Sequence, residues 1–230
     1  MTYSFTCKNI NKSFQTGESK TFALQDIHLD FAEGDFISII GPSGSGKSTL
    51  LSILGTLDIP TSGELLFDGK DISKLNAKQL SDFRFENIGF IFQQFHLIPT
   101  LTAFENMLAP LFGRKVDCDK EKRALDLLEE VGLADKIHSL PSQLSGGQQR
   151  VAVARALIHR PKWLLADEPT GNLDTATGEV IFSLLTKLNR ENACSVFFVT
   201  HDPELAARAN RTITMKDGRV VDPLEVPAYA

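Results

Sequence analysis

The stretch GPSGSGKST constrains what this chain can fold into more than any other. It comprises Gly41, Pro42, Ser43, Gly44, Ser45, Gly46, Lys47, Ser48 and Thr49. It satisfies the pattern G-x-x-x-x-G-K-[ST] in full. Before it, GDFISIIG is a compact β-branched run that reads as a buried strand; after it, STLLSILGTL reads as a helix. That context is what a phosphate-binding loop needs. Small residues let consecutive backbone N–H groups turn inward around phosphate oxygens, and the following helix points its positive end at the same charge. Lys47 then reaches the β- and γ-phosphates as a mobile point charge, and the Ser48 hydroxyl can ligate Mg²⁺. A dinucleotide fold is disfavoured, because the loop lacks G-x-G-x-x-G with an acidic residue about 20 positions further on.

A chain of 230 residues is long for one small domain and short for two. One large domain over 1–230 is expected, carrying an inserted lobe. The formal net charge of -5 argues against a partner bound through phosphate contacts, so no nucleic acid is expected. Cys7, Cys118 and Cys194 are odd in number and far apart. They suggest neither a metal site nor a disulfide framework. The start MTYSFTCKN has no basic segment followed by an apolar run, so no signal peptide is expected. No stretch reaches the roughly 18 apolar residues of a membrane span, so a membrane role would require a partner.

Residues 21–31, 34–41, 62–72 and 87–94 read as strands, the third turning at Asp68-Gly69. From Ala103 to about Leu140 the period becomes helical. Phe104, Leu108 and Leu111 share one face; Ala124, Leu127, Leu128 and Val131 share another that ends at Gly132. WLLAD (163–167) and CSVFFVTH (194–201) are buried-strand candidates separated by a helix over 178–192. The end of the chain, RTITMKDGRVV (211–221), reads as two strands about a D-G turn. Alternating strands and helices predict an α/β core. The helix-rich stretch near 74–160, between two core strands, reads as an inserted lobe set at approximately 95–160.

WLLADEPTG places Asp167 and Glu168 at the end of an apolar strand, and in open α/β sheets strand ends line the binding crevice. Two carboxylates there can divide the labour: Asp167 holds Mg²⁺ through water, and Glu168 orients or deprotonates the attacking water. The alternative is a helix cap. His201 follows VFFVT and can hydrogen-bond a γ-phosphate or hold a water in line, unless it is a partly buried histidine bonded to backbone. Gln93 follows IGFIF and could present its amide to Mg²⁺ or water, though a glutamine after a strand says little alone.

A second glycine-rich turn lies in LSGGQQR, with Ser145, Gly146, Gly147 and Gln148. Val151, Ala154, Leu157 and Ile158 then form an apolar helical face, so Ser145 is a plausible N-terminal cap with exposed N–H groups behind it. This reads as a second anion site at a helix start. Two chains packed head to tail would use both, each covering its partner's nucleotide with residues 145–147. Closure within one chain and a plain loop-to-helix junction stay open.

The set resembles the ATP-binding-cassette (ABC) ATPases. Residues 41–49 look like the Walker A loop and Gln93 like the Q-loop glutamine. LSGGQ at 144–148 matches the family signature. Residues 164–167 look like the Walker B strand with Glu168 as catalytic glutamate, GNLD at 171–174 like the D-loop, and His201 like the switch histidine. The resemblance covers nearly the whole chain. It implies an α/β P-loop NTPase core of ABC type with an antiparallel β portion and an inserted helical lobe. It further implies ATP and Mg²⁺ as ligands, and a homodimer with two composite sites in which Ser145 and Gly147 act on the partner's γ-phosphate. An aromatic residue near the N-terminus is expected to stack on adenine; Phe14 is similar to that position, where tyrosine is commoner, with ordinary core as its alternative. Within the family, the stretches 41–64, 90–107 and 164–174 look most like the lipoprotein-releasing and macrolide-export group. That likeness implies a peripheral subunit on the cytoplasmic face of the inner membrane. It would drive a separate permease with a large extracytoplasmic domain and would never touch the cargo. Residues 95–111 fall where family members contact the permease, or simply pack the lobe. The rival readings are a division-associated cassette working with a membrane partner, and a nucleotide-regulated binding module that hydrolyses little.

Overall fold

The computed structural model describes residues 4–17, 19–144, 146–171 and 173–221. Ser145 therefore lies outside the described residues. In chain order the strands are β1 (Ser4–Thr16), β2 (Ser19–Ala32), β3 (Phe36–Ile40), β4 (Ser62–Phe67), β5 (Lys70–Asp71), β6 (Ile88–Ile91), β7 (Trp163–Asp167), β8 (Ser195–Val199), β9 (Arg211–Lys216) and β10 (Arg219–Val221). The helices are α1 (Lys47–Leu54), α2 (Ala77–Asn87), α3 (Ala103–Leu108), α4 (Lys120–Glu130), α5 (Gln148–Leu157), α6 (Thr175–Asn192) and α7 (Pro203–Ala207).

Two sheets form. One has the order β2-β1-β4-β5 with antiparallel pairs. The other has the order β10-β9-β3-β8-β7-β6, in which β9, β3, β8, β7 and β6 all run parallel and β10 turns back antiparallel. Strands β3, β7 and β8 are buried over almost their whole length. Their unbroken apolar runs are what a parallel sheet covered on both faces requires. One core, between the two sheets and around α1, contains Phe5, Ile10, Leu24, Ile39, Leu50, Leu54, Trp163 and Phe197. Trp163 stacks on Phe197 with ring centroids 5.2 Å apart and meets Phe5 edge-on at 5.3 Å. A second core lies on the opposite face, where α3, α4, α5 and α6 pack on the other side chains of β7 and β8.

Several expectations shift. The strand expected over 87–94 stops at Ile91, which leaves Gln93 in the following loop. The helical pattern expected over about 103–140 divides into α3 and α4. Pro110, inside a short 3₁₀ turn, has no N–H to continue α3, and Asp119 restarts the chain by accepting from the N–H groups of Glu121 and Lys122. On α3 the buried face is Ala103 and Met107, continued by Leu111, while Phe104 and Leu108 are only partly buried. Among the described residues no helix is long and apolar enough to cross a membrane.

Candidate functional site

Because β3, β8, β7 and β6 are parallel, their C-terminal ends lie along one edge of the sheet. The chain leaves β3 into the loop at Gly41, β8 into His201, β7 into Glu168 and β6 into Gln93. Open parallel sheets bind ligands at this edge.

The loop from Gly41 to Gly46 is built on left-handed glycines: φ is 145° at Gly41, 78° at Gly44 and 99° at Gly46. A Cβ at Gly41 would stand 2.1 Å from the Met215 carbonyl oxygen, and one at Gly46 would stand 2.4 Å from that of Ala23. A Cβ at Gly44 would meet nothing within 4 Å beyond its chain neighbours, so the loop is crowded behind and open in front. The N-cap of α1 is Gly46, without a side-chain cap, so the first N–H groups of the helix are available to an anion. Lys47 is buried, and its Nζ donates to the carbonyls of Gly41 at 2.7 Å and Pro42 at 2.9 Å. Burial holds its pKa below the ordinary lysine value, partly offset by the charges of Glu168 and Asp167. Ser45 is buried too, and its hydroxyl has no hydrogen-bond partner among the described residues.

Ser48 Oγ donates to Asp167 Oδ1 at 3.3 Å. A hydroxyl and a carboxylate are hard oxygen donors of the kind Mg²⁺ takes, so the residues present fit that ion. Burial raises the Asp167 carboxyl above its ordinary pKa, and neighbouring Glu168 adds to this, while the Ser48 hydrogen bond and Lys47 oppose it. The folded protein therefore holds this proton more tightly than the unfolded chain does. Stability falls as pH rises from the ordinary carboxylate range through the raised value, and the penalty persists above it. Asp167→Asn should accordingly raise the melting temperature of the nucleotide-free protein at neutral pH, and the gain should vanish on acidification. It should also abolish the extra thermal shift that Mg²⁺ adds to ATP; scanning fluorimetry across pH reads both.

Glu168 sits immediately past β7 with a left-handed φ of 47°. Its N–H donates to the Val199 carbonyl at 3.1 Å. One carboxylate oxygen lies 2.6 Å from His201 Nε2. The other accepts from Gln93 Nε2 at 2.8 Å. Four strand ends thus bring Lys47, Ser48, Asp167, Glu168, His201 and Gln93 into one cluster. Phe14, on β1, is 44% exposed with Lys12 Nζ 5.0 Å from its ring centroid, and so is not part of the core.

The second glycine turn is built differently from the expectation. The N-cap of α5 is Gly147, and among the described residues no side chain caps it; Ser145 lies outside them. Gly146 at φ 65° lets the chain turn tightly enough for the Gly147 N–H to reach the Leu144 carbonyl at 3.2 Å, which delays the helix start. Gln148 Nε2 donates to the Pro141 carbonyl at 2.8 Å. Among the described residues, these bonds of the turn run to its own neighbourhood, Pro141 and Leu144, and not to residues 41–49.

Two residues of α5 were not singled out from the sequence. Gln149 Nε2 donates to the Pro169 carbonyl at 2.8 Å, beside Glu168. Arg155 donates to the carbonyls of His96 at 2.6 Å and Phe95 at 2.8 Å, just beyond Gln93. The available signal for Gln149 was its spacing. It lies on one helical face with Ala152, Val153 and Ala156, all buried, and a glutamine there needs a buried partner.

Comparison with known proteins decides what the cluster belongs to. The family model described as ABC transporter matches residues 24–171. The uncharacterized ABC transporter ATP-binding protein YvrO of Bacillus subtilis is 47% identical over 94% of this chain and 95% of its own length. This chain belongs to the ABC transporter ATP-binding family. A second such protein, from Methanocaldococcus jannaschii, is 49% identical over 94% of this cassette and 96% of its own length. Among solved structures, the ATP-binding cassette MJ0796, captured as a post-hydrolysis dimer bound to ADP and Pi, superimposes with a TM-score of 0.89. It is 46% identical over 94% of this chain and 96% of that one. The cassette has the ABC-type P-loop fold and is an ATPase.

Proposed function

We propose that this cassette is the ATP-hydrolysing subunit of a transporter, working as a head-to-tail homodimer on a separate membrane permease. The observation that carries the reading is the bonding of one carboxylate, Glu168, to both His201 and Gln93 beside the Ser48–Asp167 pair. Lys47 and the backbone of residues 41–49 bind the triphosphate, and Phe14 offers its exposed ring face to adenine. Ser48, Asp167 and Gln93 would hold Mg²⁺. That ion would supply charge neutralisation for the phosphates. Glu168 accepts the proton of the attacking water, and His201 orients that carboxylate and the γ-phosphate. Fixed donors in a site closed to water supply much of the rate gain.

The signature turn formed by Ser145, Gly146, Gly147 and Gln148 serves the partner's nucleotide. Its described hydrogen bonds stay within its own lobe, and the related cassette MJ0796 is a dimer. We take residues 1–230 as one nucleotide-binding domain with a helical lobe at approximately 95–160. Exposed Ile98, in the loop that Arg155 anchors, lies in the 95–111 segment assigned to the permease. The stretches 41–64, 90–107 and 164–174 favour a permease with an extracytoplasmic domain, used for lipoprotein release or drug or peptide export. The cassette would then sit peripherally on the cytoplasmic face of the inner membrane, clear of the cargo.

Light scattering tests the dimer. Glu168→Gln protein should shift from monomer to dimer when Mg-ATP is added, and Ser145→Arg in the same background should abolish the shift. A Glu168→Gln protein that binds ATP yet stays monomeric, even with its co-purified permease, would remove the sandwich.

A further inference from the structure

Glu168 is not a glycine, yet its backbone is left-handed at φ 47°. Such a conformation persists only where the surroundings over-determine it. Three hydrogen bonds do so. The Glu168 N–H is tied to Val199 of β8 at 3.1 Å, and the Gly171 N–H returns to the Glu168 carbonyl at 3.1 Å. The third comes from a different part of the molecule. Gln149, 2% exposed on α5, donates to the carbonyl of Pro169, the residue after Glu168.

Packing does not account for an amide at position 149. Its Oε1 is buried with no hydrogen-bond partner among the described residues, so a leucine of similar volume would fill the space without burying that oxygen. What the amide adds is a directional link. The helix that carries it begins at the signature turn, with Gly147 as cap and Gln148 as its first residue. Six residues beyond Gln149, about 9 Å along the axis, Arg155 grips the carbonyls of Phe95 and His96 beyond Gln93.

We propose that Gln149 is a positioning residue for Glu168, linking the signature helix to the turn that aims the catalytic carboxylate. The inference rests on the roles proposed above for Glu168 and the signature turn. When a partner's nucleotide draws the signature turn across, α5 moves as a body, the Pro169 carbonyl follows Gln149, and Glu168 in the same chain is re-aimed. Occupancy of one composite site thereby sets the catalytic geometry of the other.

The test uses the full chain with Gln149→Leu, and Gln149→Met as a second apolar replacement of similar length. Two readings are taken: steady-state ATP hydrolysis, and amide hydrogen exchange without nucleotide. A displaced base in a site that depends on sub-ångström alignment predicts a fall in kcat on the order of 10²-fold, with KM for ATP within about twofold. Exchange at the Glu168 and Gly171 amides should quicken, while the Val151 amide of α5, bonded to the carbonyl of the cap residue Gly147, should keep its protection. Unchanged exchange over 168–171 overturns the proposal whatever the turnover does. So does a loss of turnover accompanied by faster exchange throughout α5, which marks a merely structural role, and so does an unchanged kcat. If wild-type protein, with its permease, fails to hydrolyse ATP, the functional reading falls instead, and exchange at 168–171 still decides whether Gln149 holds the turn.

Discussion

Glu168→Gln should lower ATP turnover by roughly 10²- to 10⁴-fold, the usual contribution of a positioned general base, while Mg-ATP affinity stays within about threefold. The amide keeps the length and planarity of the side chain and can still accept from Gln93, which now donates at 2.8 Å. It cannot take a proton from water, and it gives His201 no charge to face across the present 2.6 Å contact. Ground-state binding, which rests on the loop at 41–49, is untouched; a loss confined to kcat is the signature of an interaction made only in the transition state. Phosphate release under single-turnover conditions, paired with calorimetric titration of Mg-ATP, separates the two quantities. Turnover within tenfold of wild type would move the base away from Glu168, with His201 the next group to examine.

Lys47→Ala should act on binding. Its ammonium already makes two ion–dipole bonds, to Gly41 and Pro42, inside a loop whose glycines leave little room to adjust. Removing one partner of a desolvated, charge-assisted contact costs about 3 kcal/mol, roughly a hundredfold in Kd. Calorimetry should therefore show Mg-ATP affinity falling by that factor, with AMP, which lacks the β- and γ-phosphates, weakened far less. Lys47→Arg should not restore binding, because a planar fork cannot replace a compact charge at the end of a flexible stem. Equal losses for ATP and AMP would mean that the lysine supports the loop rather than the phosphates.

Much of this site was legible because each of its parts is a local pattern. The phosphate loop declares itself by glycine spacing, and the residues at 167, 168, 201 and 93 each follow an apolar run that ends abruptly. What the sequence did not disclose was either irregular or non-local. Strand β1 escaped the reading because its alternation fails at Asn9, whose φ is 50°, and its register against β2 slips between Cys7 and Ile10 and again up to Ser13. Helix α2 buries only Leu80 and Asn87 and has almost no apolar face, although its Asn76–Gln79 capping box was there to be read. Gln149 and Arg155 bond to carbonyls 20 or more positions away in sequence, and periodicity carries no information about such partners. The cap of α5 was misplaced for the opposite reason. Serine is the stronger cap by preference, but a glycine turn needing positive φ decides where the helix begins.

The left-handed backbone at Glu168 has a consequence for how two carboxylates come to share one reaction centre. Consecutive side chains on a strand point to opposite faces, so an extended chain would send the side chains at 167 and 168 apart. The reversal of φ at Glu168 breaks that alternation at the one bond where it matters. Asp167 keeps the direction β7 gives it, toward Ser48, while Glu168 swings round to His201 and Gln93. Neighbours along the chain thereby become convergent neighbours in space. The division of labour between a metal-holding acid and a proton-accepting one is written into a single dihedral angle.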